Sequence, residues 1–229
     1  GRRRRRHGLL AARARVAADW ARAEFSIAKF VSLTSPHLDA VPHLRPLDEV
    51  LDLSMRKPII ALVEAPPRHG KTFRIEHHCA RRLKYRPKEQ VAYASYAAQF
   101  ANRRSRNVRK IAARAGVWAV EAPSRTRSSR FEDPSSAVSC WQTQAGGAFV
   151  AGGRGGAFVG EGFGFIAIDD PFKNRDEAES PLISDKVFES LFQGTLFTRL
   201  EPGGSLLITH QPWNMDDLIE RVKDLLRTQ

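Results

Sequence analysis

The sequence predicts an α/β domain, a mostly parallel sheet flanked by helices, with a helical arm in front of it. Short, largely apolar runs recur at 59–63, 91–95, 165–168 and 205–209. Runs of that kind belong to strands covered on both faces. Segments 73–85 and 97–115 between them carry helical spacing. With 229 residues, 42% of them hydrophobic, the chain can bury the core of one such domain.

Taken in order, residues 8–33 mix Ala and Arg with spaced apolar residues: Leu9, Val16, Trp20, Ile27 and Phe30. This predicts an amphipathic helical arm. Pro36, Pro42 and Pro46 interrupt it, and a short helix is expected near Leu47 to Met55. Residues 1–45 are therefore read as a basic arm and linker, and 46–229 as the α/β domain. Residues 121–139, rich in Ser, Arg and Pro, read as loop, and 146–164 are rich in glycine. No internal repeat is present.

The formal net charge is +12, from 37 Lys and Arg against 25 Asp and Glu. Arginines cluster at Arg2 to Arg6, at Arg103, Arg104, Arg106, Arg109 and Arg114, and at Arg125, Arg127 and Arg130. The excess points to a polyanion such as nucleic acid, with general solubility as the plainer reading. Arg103, Arg104 and Arg109 on the 97–115 helix are candidate DNA contacts; the alternative is a solvated basic face. Cys79 and Cys140 form no metal cluster and read as free thiols. No apolar run approaches the roughly 18 residues of a membrane span, and the arginine-rich start lacks the apolar region of a secretory signal.

Two motifs carry chemistry. Ala65-Pro66-Pro67-Arg68-His69-Gly70-Lys71-Thr72 follows the first apolar run. It fits the P-loop pattern Gly-x4-Gly-Lys-Ser/Thr, with Ala65 in place of the first glycine. In that pattern Pro67, Arg68, His69 and Gly70 form a loop whose amides cradle phosphates, Lys71 reaches the β- and γ-phosphates of ATP, and Thr72 binds Mg²⁺. The bland reading is a surface turn. The second motif, Phe165-Ile166-Ala167-Ile168-Asp169-Asp170, ends a strand in two acids, the Walker B form. Asp169 is expected to hold Mg²⁺ through its water shell, and Asp170 to polarise the attacking water. The bland reading is two acids capping a loop before Pro171. Ser205 to His210 is a third strand ending in polar residues. There Thr209 and His210 are candidate γ-phosphate sensors.

These blocks resemble the large terminases of tailed bacteriophages. Pro66-Pro67-Arg68-His69-Gly70-Lys71-Thr72, Ala94-Ser95-Tyr96 and Ile168-Asp169-Asp170-Pro171-Phe172-Lys173-Asn174 carry the likeness. Thr198 to Gly204, Trp213 and Asp216-Asp217-Leu218 continue it. Together they cover about residues 40 to 222. The resemblance implies a RecA-like P-loop core that hydrolyses ATP with Mg²⁺ to move double-stranded DNA into a procapsid. It implies a homo-oligomeric ring, monomeric in isolation, with a portal protein and a small terminase subunit as partners in the host cytoplasm. The segment around Arg45 to Met55 is expected near adenine. Two departures stand out: His210 occupies a place where arginine is common, and Glu161 sits where Gly-x-Gly often holds arginine. Arg154, in Gly152-Gly153-Arg154-Gly155-Gly156, is then the candidate arginine finger, against the reading of an exposed arginine in a glycine loop. Large terminases continue into a ribonuclease H-type nuclease domain. No carboxylate cluster follows the third strand here, so no nuclease activity is expected of this chain. A helicase or repair translocase, or a non-catalytic DNA-binding scaffold, are the rival readings.

Overall fold

The computed structural model describes residues 2–38, 41–120, 136–156, 158, 162–193, 196–212 and 218–227. Its strands are β1 (Ile60–Glu64), β2 (Gln90–Ala94), β3 (Ala119–Val120), β4 (Cys140–Thr143), β5 (Ala148–Gly152), β6 (Phe163–Asp169) and β7 (Leu200–His210). Its α-helices are α1 (Arg2–Ala23), α2 (Ile27–Thr34), α3 (Arg45–Ser54), α4 (Lys71–Tyr85), α5 (Ala98–Arg114), α6 (Ser136–Ser139), α7 (Arg175–Glu179), α8 (Pro181–Val187) and α9 (Leu218–Arg227). The strands form one sheet in the order β1-β7-β6-β2-β5-β4-β3. Pairing from β1 across to β5 is parallel, and β3, β4 and β5 pair antiparallel. The expected α/β class is the observed one: a mostly parallel sheet between two helical layers.

Alternation along each strand divides the core. Val91 and Tyr93, Phe165 and Ala167, and Leu207 face one layer, built from the end of α1 and from α2 to α5. Ala92 and Ala94, Ile166 and Ile168, and Leu206 and Ile208 face the other, where α8 and α9 supply Val187, Leu218, Ile219 and Val222. β6 is buried along its whole length, which is why it reads as an unbroken apolar run. β1 departs from that expectation. It lies at the end of the sheet order with β7 as its partner, and is only half-buried.

The arm also departs from its expected form. One helix over 8–33 is broken near Phe25. Ser26 caps α2 by accepting from Lys29 N, and the Asp52 carboxylate accepts from Ile27 N at 2.7 Å. Leu10 and Val16 on α1 are exposed, so that stretch buries no apolar face. Its last turn does pack: Trp20 meets Phe30 edge-on, and the Tyr85 hydroxyl donates to the Trp20 carbonyl. Ile27 and Phe30 are fully buried in the same core as Leu47, Leu51 and Ile75. The expected division at residue 45 thus falls inside a continuous core.

The antiparallel edge was not expected. β4 is four residues of alternating burial, with Trp141 and Thr143 inward, directly after the 121–139 stretch that reads as loop and in a segment for which no strand was expected. Residues 121–135 lie outside the described ones, as do Glu161, Trp213, Asp216 and Asp217. Among the described residues no helix is long and apolar enough to cross a membrane.

α4 is fixed by two arginines that are wholly buried, Arg81 and Arg82. Every guanidinium nitrogen of Arg82 has an acceptor. Nε donates to Glu89 at 2.7 Å, Nη1 to the Ser54 carbonyl at 3.1 Å, and Nη2 to Glu89 and to the Gly164 carbonyl at 3.1 Å. The Phe165 ring lies 4.7 Å from its Cζ. Glycine at 164 leaves room for the pair, because a Cβ there would stand 2.5 Å from the Glu89 carboxylate and push it from Arg82. Arg81 donates to Asp52, to the Leu51 carbonyl and to His78 Nδ1. Burial pulls both guanidinium groups below their ordinary value, and Asp52 and Glu89 oppose that pull.

Breaking a buried ion pair from one side strands the other charge. Glu89→Gln is therefore expected to destabilise the fold by about 3–5 kcal/mol. Urea denaturation followed by circular dichroism measures this; a loss under about 1 kcal/mol would show that Arg82 finds other acceptors.

Candidate active site

Parallel registry brings the carboxyl ends of five strands, β1, β7, β6, β2 and β5, to one edge of the sheet. Glu64 pairs with His210, Asp169 with Thr209, and Ala94 with both Ile168 and Gly152. Ligands of open α/β sheets bind at that edge. The loop 65–70 leaves β1 there and enters α4.

The loop is held by its own carbonyls. The Lys71 ammonium donates to the Ala65 carbonyl at 2.6 Å. The His69 ring donates from Nδ1 to the Pro67 carbonyl at 2.8 Å, and His43, in the 3₁₀ turn Pro42–Leu44, donates from Nε2 to the His69 carbonyl at 3.0 Å. Arg68 and Gly70 both have positive φ, 62° and 86°. Gly70 is the N-cap of α4, and no side chain caps the helix there. The first amides of α4 and its positive dipole end therefore face the sheet edge free of a side-chain acceptor, the arrangement that binds phosphate. Arg74, one turn on, lies 3.0 Å from Asp48 of α3, close enough to attract although the groups are not aligned as a hydrogen bond. Burial nonetheless lifts the Asp48 carboxyl to about 6.

Asp169 ends β6 on the face of α4, as the alternation from Phe165 and Ala167 requires. It is fully buried. Thr72 donates to its Oδ2 at 2.7 Å, Tyr93 to the same oxygen at 2.7 Å, and Thr209 to Oδ1 at 2.8 Å. Tyr93 went unnoticed in the sequence, where it is one more apolar residue of a strand.

Asp170 leaves the strand with φ 48°, so its side chain does not continue the alternation. Its amide donates to the Thr209 carbonyl, and its own carbonyl accepts from the Tyr96 amide. Its carboxylate lies 3.7 Å from the Lys71 ammonium. Burial, and next the neighbouring Asp169 charge, push the Asp170 carboxyl above its ordinary range, with Lys71 and His210 pulling the other way. His210 is buried beside the Phe172 ring, and its Nδ1 donates to the Gln211 carbonyl. It sits next to Thr209 at this edge.

Arg154 follows β5 on the same edge, but its guanidinium is engaged within the chain. Nη2 lies 2.8 Å from Glu177, and Nε donates to the Tyr96 carbonyl at 3.3 Å. The glycine-loop sequence suggested a freer group. On α5, Arg103, Arg106, Arg109 and Lys110 are exposed. Arg104 turns inward instead. It donates to Glu76 of α4 at 3.2 Å, stacks over Phe100, and shares Glu76 with Asn107 at 2.9 Å. Residues 103 and 104 differ by about 100° around a helix, enough to place one outside and one inside. Arg104 is thus a structural partner of Glu76 and does not belong to the exposed ridge.

Gly70→Ala places a Cβ 3.1 Å from Leu44 Cδ1 and forces alanine into a left-handed conformation. The expected loss is about 1–2 kcal/mol of stability, measured by urea denaturation. An unchanged midpoint would mean the loop refolds around the new side chain.

No protein-family model and no curated protein matches the sequence. Among solved structures, the crystal structure of the HK97 bacteriophage large terminase matches with a TM-score of 0.55 over 90% of this chain, at 12% identity. The match spans 41% of the HK97 chain, so this chain corresponds to less than half of that protein. At that identity the likeness speaks for the fold: the seven-stranded, mostly parallel sheet with its helical layers is the RecA-like fold shared with the HK97 large terminase.

Proposed function

We propose that this chain is the ATP-hydrolysing motor domain of a large terminase, which moves double-stranded DNA into a procapsid. The observation that carries the reading is the 2.7 Å hydrogen bond from Thr72 to Asp169, residues 97 apart in sequence, with Lys71 beside Asp170. A P-loop hydroxyl meeting the acid at the tip of a neighbouring strand is the arrangement nucleotide hydrolysis needs.

The donor set suits Mg²⁺ and ATP. The uncapped start of α4 supplies amides for phosphate oxygens, and Lys71 neutralises charge that develops during transfer. Mg²⁺ keeps several waters and is commonly held by one or two protein oxygens plus substrate phosphates. Thr72 and Asp169 match that demand. Held by Thr72 and Asp169, the ion would supply positive charge that offsets the charge of the phosphates. Asp170 accepts a proton from the attacking water and orients it. Thr209, tied to Asp169, reports on the same carboxylate, and His210 beside it couples the strand tip to Phe172. Arg154 serves a neighbouring subunit as an arginine finger only by exchanging Glu177 for phosphate. In its present place it braces Tyr96, whose amide holds the Asp170 carbonyl. The exposed ridge Arg103, Arg106, Arg109 and Lys110 is the DNA-facing surface of this reading. The portal protein, the small terminase subunit and assembly into a ring belong to the same proposal.

Lys71→Ala is expected to lower ATP turnover by on the order of 10² to 10³ in a protein that stays folded. Asp170→Asn is expected to bind nucleotide without turnover. In the wild type, Asp170 works deprotonated and its pKa is raised, so kcat is expected to fall on acidification at a pH above the ordinary aspartate range near 4. Wild-type turnover by a folded Lys71→Ala protein refutes the site.

DNA binding is expected to weaken with salt and to ignore sequence. Replacing Arg103, Arg106 and Arg109 together with alanine should reduce the slope of log affinity against log salt by about 3. Fluorescence anisotropy with duplexes of different sequence measures it, and an unchanged slope would move the DNA surface elsewhere.

A further inference from the structure

We infer that Tyr93 is a positioning residue for the carboxylate that holds the metal, acting through Asp169. The inference rests on the ATPase reading above and adds a residue that none of the recognised motifs contains. Tyr93 is fully buried near the carboxyl end of β2, and its hydroxyl donates to Asp169 Oδ2 at 2.7 Å.

The three hydroxyls around Asp169 are not equivalent. Thr72 shares Oδ2 with Tyr93, while Thr209 takes Oδ1. Thr72 lies in the first turn of α4, and in the ATPase reading its hydroxyl would turn to the metal. Tyr93 and Thr209 stand on β2 and β7, the two strands that flank β6. Each holds one carboxylate oxygen from a rigid neighbour. When Thr72 gives up its bond, Oδ2 would be free to rotate unless Tyr93 kept it. The phenol therefore fixes the plane of the carboxylate in the metal-bound state. Outer-shell partners of this kind are worth about 10–100-fold in metal affinity.

The test is calorimetric titration of the whole chain with ADP, once in Mg²⁺ and once in EDTA. Tyr93→Phe keeps the ring and removes the hydroxyl. The expected result is that metal-free ADP binds as in the wild type, within about twofold, while the gain in affinity on adding Mg²⁺ shrinks on the order of 10-fold. An unchanged gain in a folded Tyr93→Phe protein overturns the inference. Equal weakening in Mg²⁺ and in EDTA also overturns it, because that is what a purely structural role predicts. Should Tyr93→Phe fail to fold, Tyr93→Leu is read by the same criteria. Lys71→Ala, run in parallel, separates the two levels. Weakened nucleotide binding there with an unshifted Tyr93→Phe removes only the role of Tyr93. Wild-type binding of MgADP by Lys71→Ala removes the ATPase site and this inference together.

Discussion

A carboxylate sealed from solvent, Asp169, is tolerated only because donors meet both of its oxygens. Unpaired, such a charge would cost far more than a domain's net stability. Its three hydroxyl partners come from α4, β2 and β7, so they converge only when the strands pair in their observed register. A slip of one residue in β2 or β7 would turn Tyr93 or Thr209 to the opposite face. The geometry of the site and the registry of the sheet are therefore a single requirement. The chain cannot satisfy one while missing the other.

α4 is where that requirement meets the rest of the molecule. Its first turn carries Lys71 and Thr72, and its last two turns carry the buried Arg81 and Arg82. Asp52 and Glu89 neutralise those arginines; the Leu51 carbonyl ties Arg81 to α3, and the Ser54 and Gly164 carbonyls tie Arg82 to α3 and β6. Two buried histidines complete the packing. His77 donates to the Phe73 carbonyl and accepts from Ser35; His78 accepts from Arg81 and donates to Ser54. Burial keeps both neutral near pH 7, with His77 pulled down to about 4. So much polar burial along one helix fixes its direction, and thereby the aim of its amino end.

Much of this was legible in the sequence, for identifiable reasons. Strands buried on both faces announce themselves as apolar runs, as 91–95 and 165–168 did. Lys71, Thr72, Asp169 and Asp170 announce themselves because their spacing is chemical. What escaped notice depends on three-dimensional neighbours. β4 is short and half polar, so Trp141 and Thr143 gave no period to detect. β1 is as apolar as an interior strand yet sits at the end of the sheet, and composition alone does not report position. Arg103 and Arg104 are indistinguishable as letters, and only the buried Glu76 draws one of them inward. Tyr93 is an ordinary strand residue until β6 is laid beside it.

The Glu76 cluster has a mechanical consequence. Glu76 lies one helical turn beyond Thr72, and burial raises its pKa while Asn107 and Arg104 hold its charged form. Asn107 and Arg104 sit on α5, whose opposite side presents the exposed arginines. The two helices are thus cross-braced by a buried charge that cannot let go cheaply. A tilt imposed at the amino end of α4 is not absorbed as slip between them. The brace ties the exposed ridge of α5 to the helix whose first turn carries Lys71 and Thr72, like a strut between two beams.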